Sequence, residues 1–224
     1  MTLGRSEVVA GIQAELEGFG RLIAGLGDRQ WATPTRCAGW TVADVAGHVV
    51  GTAADVAAGR FAELAEPDAP DRQADERRGR TPAQLADELA GARDGLIGLA
   101  AAFDDAAWAG PLPAGLPGTV GFGAEGIWYD AYVHGDDIRV ALGLAPERGP
   151  GLAAAVSHLA GLLDERGWGP ATLELDGVPV FEVGGGGRAL RGDALVFVRV
   201  ATGRGDPDEL GLTGPVNVYA PQPA

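Results

Sequence analysis

Apolar positions along the first 142 residues recur at intervals of three and four, and they fall into four blocks. The first block, from Ser6 to about Leu26, sets Val9, Ile12, Leu16, Phe19 and Ile23 on one helix face, and Gly27-Asp28 ends it. The second opens after Trp40, where Thr41 and Asp44 form a T-x-x-D capping box, the Thr oxygen taking the amide three residues on. It is expected to reach about Leu64, before Pro67. The segment EPDAPDRQADERRGR, residues 66–80, has no apolar period and reads as a polar crossing. A third helix opens at TPAQ, with Thr81 as N-cap, Pro82 in the first turn and Gln84 closing the box. It continues through Leu85, Leu89, Leu96 and Leu99 to about Phe103. The fourth covers about Gly123 to Leu142, with Gly143 as its stop. Four helices with one long crossing predict a bundle.

Beyond residue 148 the period changes. A fifth helix, about Pro150 to Arg166, precedes ATLELDGVPVFEV, whose alternation around Asp176-Gly177 predicts a hairpin. ALVFVRVATG reads as a further strand, set off by GGGGR before it and GRGDPDELG after it. The expected fold class is therefore mainly α with a small α+β C-terminal domain: a four-helix bundle over residues 1–148 and a mixed-sheet unit over 149–224. The glycines at 184–187 lack the spacing and the following helix of a phosphate cradle, so a flexible hairpin loop suffices for them.

Charge and cysteine usage remove several partner classes. Seventeen basic against 31 acidic residues give a net charge of −14, which argues against nucleic acid and anionic membrane as partners. The one small basic cluster, DERRGR at 75–80, is diluted by acids and reads as a solvated loop. A single cysteine, Cys37, excludes an internal disulfide and a multi-thiolate zinc site. The chain starts without a basic region leading into an apolar run. Its longest uncharged window, 106–124, holds five Gly and three Pro. A cytoplasmic, soluble protein is expected.

The candidate chemistry lies in the histidines, of which there are three: His48, His134 and His158. His48 stands among Val45, Val49 and Val50, where a ring without partners costs a few kcal/mol, so it must be hydrogen-bonded, exposed or bound to something. Asp130 lies one turn before His134, which places both side chains on one helix face with Cβ atoms about 5–6 Å apart. If the second helix presents His48 to the same interior, the three supply two nitrogens and an oxygen and leave a coordination position open, the pattern of a catalytic zinc site. Nickel, iron(II), cobalt or manganese accept the same donors. A hydrogen-bonded core histidine and a surface i,i+4 pair account for the same residues without a metal.

Three segments add a resemblance. WATPTRCAGWTVADVAGHV, residues 31–49, resembles the start of the second helix in the mycothiol-dependent maleylpyruvate isomerase family, whose members are DinB-like metal-binding bundles. DAYVHGDDIRVALG, residues 130–143, is similar to that family's second signature, E-x-x-x-H-G-x-D followed by an apolar run. ATGRGDPDEL, residues 201–210, resembles its T-G-R segment in a small sterol-carrier-like C-terminal domain. The resemblance implies a DinB-like up-down four-helix bundle with His48, Asp130 and His134 as metal ligands, Asp130 standing where the family carries Glu. It also implies a catalytic or carboxylate-binding Arg204, and Asp137 as a partner to a ligating imidazole. The cofactors it implies are a divalent metal, zinc before others, and mycothiol or a similar thiol.

The activity so implied is thiol-dependent isomerisation or S-transfer on a small electrophilic substrate. A non-catalytic ligand-binding or regulatory bundle is the alternative, as is a metal-dependent hydrolase. The hydrolase lacks an evident base, because Glu125 lies nine residues before His134, roughly on the opposite face. Cys37, Trp31 and Trp40 are read as turn and packing residues, and His158 as an ordinary helix residue. Arg204 serves equally well as a loop cap near Asp206 and Asp208.

Overall fold

The computed structural model describes residues 3–212 and 216–220, and the chain divides into two compact units, with the division falling between Pro146 and Glu147. The first holds α1 (Arg5–Ala24), α2 (Asp28–Trp31), α3 (Val42–Ala57), α4 (Phe61–Leu64), α5 (Ala69–Asp75), α6 (Pro82–Ala102), α7 (Asp105–Ala109) and α8 (Val120–Ala141). Helices α1 and α3 each pack on both α6 and α8, so the four long helices run round the bundle in the order α1, α6, α3, α8. Both expected capping boxes are formed. Thr41 accepts the Asp44 amide and its own N–H donates to the Asp44 carboxylate at 2.9 Å, while Thr81 and Gln84 exchange the same pair of bonds. The core face of α1 carries Val8, Ile12, Leu16, Phe19 and Ile23; Val8 takes the buried place expected of Val9, one position round the helix.

Two segments depart from expectation, and both bear on the site. The second helix stops at Ala57 instead of continuing to Leu64, because Gly59 turns the chain at φ 73° and the Arg60 amide donates back to the Asp55 carbonyl at 2.8 Å. The polar crossing contains α5, with Pro70 in its first turn. It buries Ala69, Gln73 and Ala74 against α3, a face too short to register as a period. Arg77, read as part of a solvated loop, is buried and paired with Glu88 at 2.7 Å. The close approach of α5 depends on two glycines of α3. A Cβ at Gly47 would lie 3.2 Å from the Ala74 Cα, and one at Gly51 would lie 2.5 Å from the Gln73 Cβ.

The second unit begins with α9 (Pro150–Glu165) and continues with β1 (Ala171–Asp176), β2 (Phe181–Val183), β3 (Arg188–Asp193) and α10 (Ala194–Ala201). The sheet is mixed, in the order β2-β1-β3. β2 pairs antiparallel with β1 (Leu173 opposite Phe181), and β3 pairs parallel with it (Leu173 beside Leu190). The glycine run therefore carries the chain past β1 to its other edge, not round a hairpin. Gly184, Gly185 and Gly186 do so at φ of 61–85°, where other residues are strained. ALVFVRVA, expected as a strand, is the helix α10. The Asp193 carboxylate caps the amides of Leu195 and Val196, and burial recurs at helical spacing through Ala194, Leu195, Phe197, Val198, Val200 and Ala201. Packing and a good cap outweigh the β-propensity of its valines. Among the described residues, no helix is long and apolar enough to cross a membrane.

Candidate metal centre

His48 sits midway along α3, and Asp130 and His134 are one turn apart on the neighbouring α8. The Nε2 atoms of both histidines face one oxygen of Asp130, each at 3.5 Å from Oδ1. The two rings stand nearly perpendicular, 85° apart with centroids 5.0 Å from each other. At 3.5 Å a ring N–H makes a poor hydrogen bond. Two ligands of a tetrahedral zinc ion, each about 2.05 Å from the metal, are about 3.3 Å apart. The donor set and its spacing thus suit a small divalent ion, and all the donor atoms lie within 4.8 Å of one another.

Partners on the far side of each ring fix which nitrogen is available. His48 Nδ1 is 2.8 Å from Oε1 of Gln73, a residue of α5. The other end of that amide, Nε2, donates to the Asp55 carboxylate at 2.7 Å. An ionised carboxylate can only accept, so Asp55 forces the Gln73 oxygen toward His48, and His48 must carry its proton on Nδ1. The Thr52 hydroxyl donates to the same oxygen at 3.2 Å. His134 Nδ1 donates to Oδ2 of the fully buried Asp137 at 2.9 Å. Both Nε2 atoms are thereby left facing Asp130.

The supporting carboxylates are themselves neutralised. Asp55, with no exposed surface, is paired with Arg60 and with Arg72, the latter at 2.8 Å. Burial works against its charge, but hydrogen bonds from Gln73, Arg72 and Arg60 prevail and hold its pKa below the ordinary value. Arg36 grips Asp137 through Nε and Asp136 through Nη2. At His48, burial is the largest influence and opposes protonation, yet the adjacent Asp130 charge and the bonds to Asp130 and Gln73 outweigh it, and the pKa is raised. The surroundings of Nε2 favour a positive charge.

Each residue singled out in the sequence now has a place. His48, Asp130 and His134 come together. Asp137 lies behind His134, and Cys37 directs its Sγ at Asp137 Oδ2, 3.2 Å away, and stands 4.0 Å from His134 Nδ1. Cys37, His134 and Asp137 make a second donor group that shares His134 through its other nitrogen. Trp40 is more than a turn anchor: its ring lies against both imidazoles, with centroid separations of 5.4 and 6.5 Å, while its Nε1 donates to Asp71. Trp31 bonds the Arg80 carbonyl. His158 is buried in α9 of the second unit. Arg204 follows α10 in that unit, where its guanidinium donates to the Thr202 carbonyl at 3.3 Å. Gln73 and Asp55 escaped the sequence reading, although Pro70 at the start of α5 was a usable signal for the helix that carries Gln73.

Comparison with known proteins agrees with this arrangement at the level of family and fold. No curated protein matches the sequence. Two solved structures share the fold: the mycothiol-dependent maleylpyruvate isomerase, at 18% identity, and a histidine-to-alanine mutant of that enzyme, at 17%. Each superposes with a TM-score of 0.65 over 100% of this chain and 99% of the other. The family model for the mycothiol maleylpyruvate isomerase N-terminal domain matches residues 12–139, more than half of the sequence, from within α1 to beyond His134, and on that match the chain belongs to this family.

Proposed function

We propose that the chain is an enzyme that uses a divalent metal, zinc before others, and a low-molecular-weight thiol, mycothiol, to isomerise a small electrophilic substrate or to transfer the thiol to it. One observation carries the reading: two imidazole Nε2 atoms, each on a ring whose Nδ1 is bonded to a partner behind it, converge on a single carboxylate oxygen at 3.5 Å. His48, Asp130 and His134 would hold the metal. When bound, the metal supplies a Lewis acid that lowers the pKa of a thiol, and the thiol supplies a nucleophile for reversible addition to a conjugated double bond. Gln73 and Asp137 keep the two rings oriented, and Trp40 with the valines flanking His48 limits access of water to them.

The work of the two domains follows from the same reading. The bundle, residues 1–148, carries the metal chemistry. In the sterol-carrier-like α+β domain, 149–224, Arg204 has the chemistry to grip a carboxylate by two parallel bonds. The protein is expected to act in the cytoplasm on a small molecule, with neither nucleic acid nor membrane as partner.

The test begins with elemental analysis of purified wild type beside His48→Ala and His134→Ala. About one divalent ion per chain in the wild type, lost in both variants, is expected for a three-ligand site. Mycothiol-dependent isomerisation of maleylpyruvate and S-transfer to model electrophiles then separate the two activities. A protein that takes up no metal after reconstitution with zinc overturns the proposal.

A further inference from the structure

Next to the three donors the bundle contains a cavity of about 210 Å3 with almost wholly apolar walls. Its position follows from the helices. Thr52 and Val56 line it and lie one and two turns beyond His48 on α3; Ile127 and Ala124 line it and lie one and two turns before Asp130 on α8. The cavity therefore begins about 6 Å along the bundle from the donors and extends away from them. Leu96, Phe103 and Leu112 close other sides. None of its lining residues is charged. Arg5, which lies over the Trp108 ring at 5.5 Å, has its guanidinium taken up by the carbonyls of Ala100 and Phe103 and by Asp105. Arg36 is held by Asp136 and Asp137.

A carboxylate against such walls would find no counter-ion, whereas an alkyl or aryl group would be well placed. A dry cavity of about 150 Å3 suffices for benzene, so this one has room for a ring with a short substituent or a chain of about eight carbons. We propose that the cavity binds the apolar body of this chain's small-molecule substrate, presenting its reactive end to His48, Asp130 and His134, and that it refuses a compact dicarboxylate. The assignment of the bound molecule as substrate rests on the proposed metal- and thiol-dependent function. The selectivity of the cavity does not.

Calorimetric titration of the full chain with butanol, hexanol and octanol, and with disodium maleate, decides the matter. Affinity is expected to rise about fourfold per added methylene until the cavity is full, with no detectable binding of maleate. Ala124→Phe, which fills the space from α8, is expected to weaken octanol at least tenfold while circular dichroism and zinc content stay as in the wild type. If that variant does not fold, the chain-length series on the wild type still decides. A flat series, or maleate binding more tightly than hexanol, overturns the proposal. The titrations are run on metal-free and zinc-loaded protein alike, and equal alcohol affinities are expected because the walls contain no metal donor. A protein that binds octanol but never zinc would refute the metal reading and leave the cavity assignment standing.

Discussion

Replacing Gln73 by Met tests how the histidine on α3 is held. Methionine is unbranched and close to glutamine in length, so it keeps the Cβ contact beside Gly51 that seats α5 on α3. What it removes are three bonds: the acceptor for His48 Nδ1 at 2.8 Å, the acceptor for Thr52 at 3.2 Å and the donor to Asp55 at 2.7 Å. Each neutral bond contributes about 1 kcal/mol and the one to a carboxylate about 1.5–3 kcal/mol. Asp55 retains Arg60 and Arg72, and a buried thioether recovers part of the loss, so urea unfolding is expected to show about 2–3 kcal/mol of destabilisation. The larger effect falls on the metal. With no acceptor opposite Nδ1, His48 is free to place its proton on Nε2 and to rotate, and loss of such a partner typically costs 10–100-fold in metal affinity. Competition against a chromophoric chelator measures this directly. A Thr52→Val control removes only the hydroxyl and is expected to change zinc affinity less than about threefold. Zinc affinity within twofold of wild type in Gln73→Met, alongside the expected loss of stability, would refute the account of how His48 is oriented.

Other substitutions probe the same construction from different sides. Gly51→Ala places a methyl where 2.5 Å separates it from the Gln73 Cβ, so α5 must shift; a loss of about 1–3 kcal/mol in urea melts and weaker zinc binding are expected together. Cys37→Ala separates the two donor groups that share His134, and zinc content is expected to stay at the wild-type value; its loss would move the metal to Cys37, His134 and Asp137. The pKa of Asp193 is lowered: burial opposes this, but Arg148 and the amides it caps on α10 prevail. Such a group contributes stability that is full above its unfolded value, here 3.8, and is lost as pH falls through the folded value. Asp193→Asn is therefore expected to unfold at lower urea than wild type at pH 6, with the gap narrowing below about pH 4. A gap of constant size down to pH 3 would contradict it. The same sign holds for Asp55→Asn.

The long helices were legible because each carries enough turns for a period, and in α3 and α6 a side-chain cap coincides with it. Thr41 with Asp44 and Thr81 with Gln84 mark starts that the structure reproduces. Shorter elements were not. Seven residues, the length of α5, cannot show a period of 3.6 convincingly, and ALVFVRVA is equally apolar as strand or helix until Asp193 caps it. The departure of β3 to the far edge of β1 was also hidden, since RALRGD has one apolar leucine and owes its place to the glycines before it.

At the site, the difference between what could and could not be read is one of range. Asp130 and His134 are joined by helix geometry alone, a local fact. That Gln73 meets His48 depends on two missing Cβ atoms on α3, and that Asp137 is neutralised depends on Arg36, about a hundred residues away in sequence. The exchange of Glu for Asp at position 130, which the family signature makes conspicuous, belongs to the second kind. A shorter carboxylate reaches less far from α8, and whether it suffices depends on how close α3 brings His48. Here Oδ1 stands at the same 3.5 Å from a ring on its own helix and from a ring on the other. The small residues of α3 that admit α5, Gly47 and Gly51, lie on either side of His48, so the helix that presents the histidine is also the one against which its support is seated.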